Sequence, residues 1–149
     1  MNAQHTKPVD ILLVEDNPND VELALEAIKD SKLLINMHVV ADGPEALHFL
    51  HRRQPYDEAP RPDLVLLDLN LPTLSGHAVL QHIKSDEDLG HIPVVVLTTS
   101  DSPDDVAQAY ERFANAYVTK PIDLDQFIAI VKVIEEFWFS IVKLPPGQA

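Results

Sequence analysis

The sequence contains no cysteine, so it can form neither a disulfide framework nor a thiol-ligated metal site. It also lacks any apolar run approaching the roughly 20 residues that a membrane-spanning helix needs. Residues 1 to 8 have no basic block followed by an apolar block, as a signal peptide would. We therefore expect a cytoplasmic protein that does not act on a membrane.

Basic residues and glycine are scarce. Lys and Arg total 11 against 24 Asp and Glu, and the formal net charge is −13. No basic cluster is present to replace phosphate counterions, so we expect no nucleic-acid partner. The chain has only four glycines and no Gly-x-x-x-x-Gly-Lys loop, which excludes a P-loop for nucleotide phosphates.

The 149 residues suffice for one domain, in which five apolar strand segments alternate with five helical patterns. This alternation predicts an α/β fold with a doubly wound, five-stranded parallel sheet. We adopt the strand order 2-1-3-4-5 from known flavodoxin-like folds. The predicted domain spans residues 9–142, between a polar tail at 1–8 and a tail at 143–149, with no output domain. The predicted strands are residues 9–14, 35–41, 64–68, 92–98 and 116–119.

Each predicted helix carries apolar residues at helical spacing that should face the core. Asn17-Pro18 and Ser102-Pro103 have the composition of helix starts. The last helix should span residues 124–142. The residues predicted to be buried in the first four helices are Val21, Leu25 and Ile28, then Ala46, Leu47 and Leu50, then Val79, Leu80 and Ile83, and finally Val106, Tyr110 and Phe113.

Polar side chains follow four of the predicted strands at the point where each strand ends. Glu15 and Asp16 end the first strand, Asp68 the third, Thr98 the fourth, and Lys120 follows the fifth. The carboxyl ends of parallel strands share one edge of the sheet, where ligands bind. We therefore expect these groups to converge.

Clustered carboxylates resist joint ionisation unless a cation compensates them. Mg²⁺, or Mn²⁺ in its place, prefers carboxylate and carbonyl oxygens together with water. Asp16 and Asp68 are the predicted direct ligands, the backbone carbonyl of Asn70 is a third, and Glu15 binds through water or orients the site.

A carboxylate beside Mg²⁺, faced by the Thr98 hydroxyl and the Lys120 ammonium, can accept a phosphoryl group. Two alternatives use related parts. A phosphatase of the haloacid dehalogenase type normally has a second acid two residues after its nucleophile, where this chain has Asn70. A flavodoxin-like FMN-binding module has a phosphate loop after its first strand, where the acids Glu15 and Asp16 would repel phosphate.

The same residues resemble the receiver domains of bacterial two-component response regulators, from about Val9 to Val142. The matching residues are Glu15-Asp16, the segment from Asp68 to Gly76, Thr98, Tyr117 and Lys120-Pro121. The resemblance implies that Asp68 accepts a phosphoryl group from the phosphohistidine of a histidine kinase. It also implies that Asp68 and its neighbours hold Mg²⁺, that Thr98 and Tyr117 move together as a switch, and that the protein is a signalling module with at most slow self-dephosphorylation.

The segment from Ile134 to Phe139 and the proline-bearing loop before Asp63 resemble single-domain regulators that serve phytochrome-type histidine kinases. This subfamily resemblance implies a light-sensing kinase as partner and a homodimer built from the last helices and strand. Ile128 and Phe139 fall beside the predicted core stripe of the last helix, and we expect them to form a partner surface.

Overall fold

The computed structural model describes residues 8–99, 102–120 and 123–142, except for the side chains of residues 137–142. Strands and helices alternate throughout these ranges. In chain order the elements are β1 Val9–Val14, α1 Pro18–Ala27, β2 Ile35–Val40, α2 Gly43–Leu50, β3 Leu64–Asp68, α3 Gly76–Ser85, β4 Val94–Thr98, α4 Pro103–Glu111, β5 Ala116–Thr119 and α5 Leu124–Val142.

The five strands form one parallel sheet in the order β2-β1-β3-β4-β5, which confirms the predicted fold class and strand order. Val14 pairs with Leu67 between β1 and β3, Asp68 pairs with Leu97 between β3 and β4, and Thr98 pairs with Thr119 between β4 and β5. The carboxyl ends of β1, β3, β4 and β5 are therefore level with one another, and the residues that follow them meet at one edge.

Both faces of the sheet are covered, as parallel sheets require. Side chains alternate along β1, so that Leu12 and Val14 belong to one core cluster and Ile11 and Leu13 to the other. Buried side chains of α2, α3 and α4 join the first cluster, and those of α1 and α5 join the second. The sheet is thus a rigid platform for the residues at its ends.

The helices begin where the sequence predicts. The Asn17 side chain accepts the backbone N–H of Asn19 at 2.9 Å, and the Ser102 hydroxyl accepts that of Asp105 at 3.1 Å. Ser75 caps α3 in the same way. These oxygens satisfy backbone donors that have no partner within the helix.

The buried faces of α1 and α4 differ from the prediction. In α1 the small side chains of Ala24 and Ala27 are buried, whereas Leu25 is 38% exposed. In α4 Ala109 is buried, whereas Tyr110 is 49% exposed. Small residues occupy the positions nearest the sheet because they allow each helix to approach it closely, and the larger side chains lie to the side.

Phe113 was also predicted to be buried, and it is 72% exposed. Helix α4 ends at Glu111, and Phe113 has a left-handed backbone with a φ of 68°. This turn removes the side chain from the helical face to which the spacing assigned it, and Ala114 is buried instead.

Strand β4 begins two residues later than predicted, at Val94. The backbone N–H of Ile92 bonds to the carbonyl of Leu89 in a turn, and Pro93 has no N–H to offer the sheet. Strand β2 likewise ends at Val40, one residue before the predicted Ala41. Within the ranges that the structure describes, no helix is both long and apolar enough to span a bilayer.

Candidate functional site

The ammonium group of Lys120 lies at the centre of the carboxyl edge of the sheet. Its Nζ is 2.6 Å from Glu15 Oε1, 2.7 Å from Asp20 Oδ2 and 3.4 Å from Asp68 Oδ2. The β4 to β5 pairing positions this residue, since the Lys120 N–H donates to the carbonyl of Thr98 at 2.6 Å. One cation thus links acids that follow β1, begin α1 and end β3.

The cluster is withdrawn from solvent, with Glu15 2% exposed, Asp68 5% and Lys120 9%, whereas Asp16 is exposed. Burial raises the pKa of Glu15 from 4.5 to about 7, although hydrogen bonds from Lys120 and the Asn17 N–H oppose the rise. Burial alone would lower the pKa of Lys120. Its hydrogen bonds to Asp20 and Glu15 and the charge of Asp68 outweigh that effect and raise the pKa above its ordinary value. Lys120 therefore stays charged.

The acids at this edge also fit a divalent cation. One carboxylate oxygen each from Glu15, Asp16 and Asp68 lie within 4.8 Å of one another. Neighbouring oxygens around octahedral Mg²⁺ are about 3 Å apart and opposite ones about 4.2 Å, so the three carboxylates would have to draw closer to share the ion, or one of them would act through water. The donors are all hard oxygens, as Mg²⁺ and Mn²⁺ prefer.

The turn after β3 fixes the orientation of Asp68. Its Oδ1 accepts the backbone N–H of Asn70 at 2.9 Å, and the N–H of Gly76 closes the loop on the carbonyl of Leu69 at 3.0 Å. A Cβ at Gly76 would lie 2.4 Å from the Asp68 carbonyl oxygen, far inside contact distance. The glycine is therefore required by the close approach of α3 to the end of β3.

The Asn70 side chain connects β3 to β4. Its amide Nδ2 donates to the Thr98 and Thr99 hydroxyl oxygens, both at 3.0 Å. Thr98 is fully buried, so this contact sets the position of a hydroxyl next to the acid cluster. The sequence predicted a role for the Asn70 carbonyl and did not predict this role for its amide.

The structure brings Glu15, Asp16, Asp68 and Lys120 together, as the sequence predicted. Asp20 was missed. Its place in the first turn of a helix is typical of a residue that favours the helix dipole, and only the tertiary fold shows its ion pair with Lys120.

The remaining predicted residues lie farther out. Tyr117 is half-buried and packs against the core cluster on the α2, α3 and α4 face. Ile128 is half-buried against the other cluster, and the side chain of Phe139 lies outside the described residues. The switch role of Tyr117 and the partner surface stay predictions.

A parallel sheet with buried carboxylates, a hydroxyl and an ammonium at its carboxyl edge defines a class of α/β proteins suited to metal-assisted phosphoryl chemistry. Comparison with known proteins specifies the class. Residues 11–132 match the family model of the response regulator receiver domain. Response regulator Rcp1 of Synechocystis is 44% identical over 145 residues, which cover 97% of this chain and 99% of that protein.

Two solved structures extend the likeness to the fold. The phosphorylated cyanobacterial phytochrome response regulator RcpA superimposes with a TM-score of 0.83 at 47% identity, covering 93% of this chain and 99% of RcpA. The Mn²⁺-bound form of Rcp1 gives a TM-score of 0.81 at 46% identity with the same coverage. The chain belongs to the family of response regulator receiver domains, signalling modules that accept a phosphoryl group on an aspartate and bind a divalent metal.

Proposed function

We propose that this chain is a phosphorylation-dependent switch in which Asp68 accepts a phosphoryl group from the phosphohistidine of a phytochrome-type histidine kinase. The observation that carries the proposal is the placement of the Asp68 carboxylate, which is buried, 3.4 Å from Lys120 Nζ and within one cluster with Glu15 and Asp16. The likeness to RcpA and Rcp1 supports the kinase type.

In the transfer step, a carboxylate oxygen of Asp68 forms a bond to phosphorus while the bond from phosphorus to the histidine nitrogen breaks. The departing imidazole retains the electron pair and takes up a proton from solvent. Lys120 turns from its present carboxylate partners to one phosphoryl oxygen as a point charge. Asp16, Asp68 and the Asn70 carbonyl would hold a divalent cation, with Glu15 acting through water, and the ion would supply positive charge to shield the phosphoryl oxygens.

The phosphorylated state is reported through Thr98 and Tyr117. The Thr98 hydroxyl moves toward the new phosphoryl oxygens, and its hydrogen bond with the Asn70 amide adjusts. The Tyr117 side chain on β5 then moves into the space that the Thr98 hydroxyl leaves, and α4 shifts with it. The output is a protein-binding surface with two arrangements.

The domain acts as a signalling module and not as a phosphatase, with at most slow self-dephosphorylation. A phosphatase of the alternative type needs an acid at position 70. The Asn70 amide has no proton to transfer at neutral pH, and its Nδ2 is engaged with Thr98 and Thr99. No general acid is thus supplied from that position.

A homodimer through α4, β5 and α5 completes the proposal, in a protein that acts in the cytoplasm. Exposed apolar side chains on and beside these elements support it, namely Tyr110 on α4, Phe113 in the turn after α4, and Val133 on α5, the last 64% exposed. Phe139→Asp should weaken dimerisation without unfolding the domain. An unchanged sedimentation profile would count against this surface.

The phosphoryl-transfer proposal is tested by incubating the wild type and Asp68→Asn with Mg²⁺ and either acetyl phosphate or beryllofluoride. We expect a stoichiometric, metal-dependent adduct in the wild type and none in the variant. Continuous turnover of acetyl phosphate would support the phosphatase. An equal adduct in Asp68→Asn would place the acceptor elsewhere.

A further inference from the structure

Two histidines meet where α2 and α3 end. His51 is the C-terminal cap of α2 and His82 lies in the last turn of α3. Their Nε2 atoms are 2.8 Å apart, and their rings are in an edge arrangement with centroids 5.0 Å apart. Asp86, the C-terminal cap of α3, adds a carboxylate oxygen, and the three ligand atoms lie within 4.8 Å of one another.

This cluster lies on the opposite edge of the sheet from Asp68. In a parallel α/β sheet each helix starts near the carboxyl end of the preceding strand and ends near the amino end of the next strand. His51 and Asp86 are at helix C-termini, so they are at the amino edge of the sheet. The phosphoryl-transfer proposal does not use any of these side chains.

The carboxylate of Asp86 is oriented by the backbone. Its Oδ1 accepts the N–H of Asp88 at 2.7 Å and that of Leu89 at 3.2 Å. These bonds, led by the one from Asp88, and the nearby histidines lower the pKa of Asp86, so it is ionised at neutral pH. One oxygen of this carboxylate lies within 4.8 Å of the ligand nitrogens of both histidines.

The His51 imidazole is in the protonation state that metal binding needs. Burial lowers the pKa of His51, and the proximity of His82 and Arg53 lowers it further, while Asp86 opposes the change. His51 is thus neutral at neutral pH. Two neutral imidazole nitrogens and one carboxylate are the donor set of Zn²⁺ and similar ions, whereas Mg²⁺ prefers oxygen donors.

We propose that His51, His82 and Asp86 form a second metal site, which binds Zn²⁺ or a similar transition-metal ion with water at the fourth position. The geometry requires little rearrangement. Two nitrogens on one tetrahedral Zn²⁺ lie about 3.3 Å apart and the centroids of their rings about 5 Å apart. The observed centroid separation is already 5.0 Å, so the rings need to tilt while the helices stay in place.

Binding replaces the hydrogen bond between the two Nε2 atoms. One Nε2 carries a proton in that bond, and this proton moves through solvent to Nδ1 of the same ring. Both Nε2 lone pairs then bind the ion. The bound ion joins the end of α2 to the end of α3 and should stabilise the fold by an amount that rises with the logarithm of the ion concentration above Kd.

The test uses Co²⁺ as a spectroscopic probe and Zn²⁺ as its competitor, in excess Mg²⁺ to keep the acid cluster occupied. We expect the wild type to bind one Co²⁺ with the intense visible absorption of a four-coordinate ion, and Zn²⁺ to abolish that band. His51→Gln and His82→Gln should lose the band, and Asp86→Asn should weaken binding by about tenfold or more. The matched controls His48→Gln and His91→Gln, both at exposed histidines, should behave as the wild type.

The stability of each variant is measured in parallel. Zn²⁺ should raise the Tm of the wild type and of the two control variants, and should leave that of His82→Gln unchanged. Should a histidine variant fail to fold, the comparison rests on Asp86→Asn, whose side chain lies at the surface. The proposal would be overturned if the wild type showed only the weak spectrum of six-coordinate Co²⁺. It would also be overturned if the intense band persisted in Asp86→Asn and in both histidine variants. The contact of His51 with His82 would then be a simple hydrogen bond between two helices.

Discussion

The acid cluster around Lys120 and the site of Glu135 both bury carboxylates, yet they differ in what balances the charge. Glu135 on α5 is 7% exposed, and its Oε2 accepts the Ser31 hydroxyl at 2.7 Å and the Lys32 N–H at 2.6 Å. At the carboxyl edge, Lys120 is the one cation paired with Glu15, Asp20 and Asp68 among the residues that the structure describes. One site satisfies a single acid with neutral donors, whereas the other gathers more acids than its cation can neutralise.

This difference separates a structural carboxylate from a functional one. Glu135 connects α5 to the segment that follows α1 through two hydrogen bonds to its Oε2. The carboxyl edge retains excess negative charge, which a divalent cation can offset. Burial of a carboxylate therefore does not by itself identify the functional site. An excess of carboxylates over cations at the strand ends does. Four substitutions test this comparison.

Lys120→Met should have the largest effect, because it leaves buried carboxylates without their cation. We expect the free energy of unfolding to fall by about 3–5 kcal/mol, as when a buried ion pair loses one partner. Mg²⁺ should restore part of the loss, and acetyl phosphate should give no stable adduct. Urea denaturation with and without Mg²⁺ measures both effects.

The matched control for Lys120→Met is Lys29→Met, at a lysine whose side chain is 68% exposed in its pair with Glu26. This change should cost less than about 1 kcal/mol. Equal losses in the two variants would contradict the central position of Lys120.

Gly76→Ala should destabilise the protein by about 2–3 kcal/mol, because the added Cβ forces the backbone away from Asp68. The rate of phosphorylation by acetyl phosphate should fall as well. Gly90→Ala is the control, since its Cβ would make a milder close contact, 3.0 Å from the Asp86 carbonyl oxygen, and should leave the phosphorylation rate unchanged. Phosphorylation at the wild-type rate in Gly76→Ala would show that the loop does not position the aspartate.

Glu135→Ala should cost about 2 kcal/mol by leaving the Ser31 hydroxyl and the Lys32 N–H without their acceptor. Phosphorylation of Asp68 should be unaffected, because the hydrogen bonds of Glu135 are with Ser31 and Lys32, which are not part of the acid cluster. Glu135→Gln retains an acceptor oxygen and should recover most of the stability. A phosphorylation defect in Glu135→Ala would remove the distinction between the two sites.

Asn70→Ala should have the smallest effect on stability, about 1 kcal/mol, since it removes one hydrogen bond to the buried Thr98 hydroxyl and one to the exposed Thr99 hydroxyl. Its backbone carbonyl and N–H remain, so Mg²⁺ binding should persist. The lifetime of the phosphorylated form should change because Thr98 loses its orientation. A titration of Mg²⁺ binding and a time course of adduct decay separate the two effects.

The strands, the helices and the meeting of polar residues at the carboxyl edge could be predicted from the sequence. The signals for them are local, namely the spacing of apolar residues and the polar residues at the end of each strand. The strand order was adopted from known folds. The buried faces of α1 and α4 could not be predicted fully, since spacing does not distinguish a large side chain beside the sheet, such as Tyr110, from a small one against it, such as Ala109. Asp20 and the contact of His51 with His82 depend on the packing of distant segments, which no local pattern encodes.

The most direct test of the central claim locates the phosphoryl group on the chain. The protein is phosphorylated with acetyl phosphate and Mg²⁺, reduced with borohydride to convert the acyl phosphate to homoserine, and mapped by mass spectrometry. We predict homoserine at position 68 alone. Homoserine at Asp16 or Asp20, or at no position, would contradict the assignment of Asp68 as the phosphoryl acceptor.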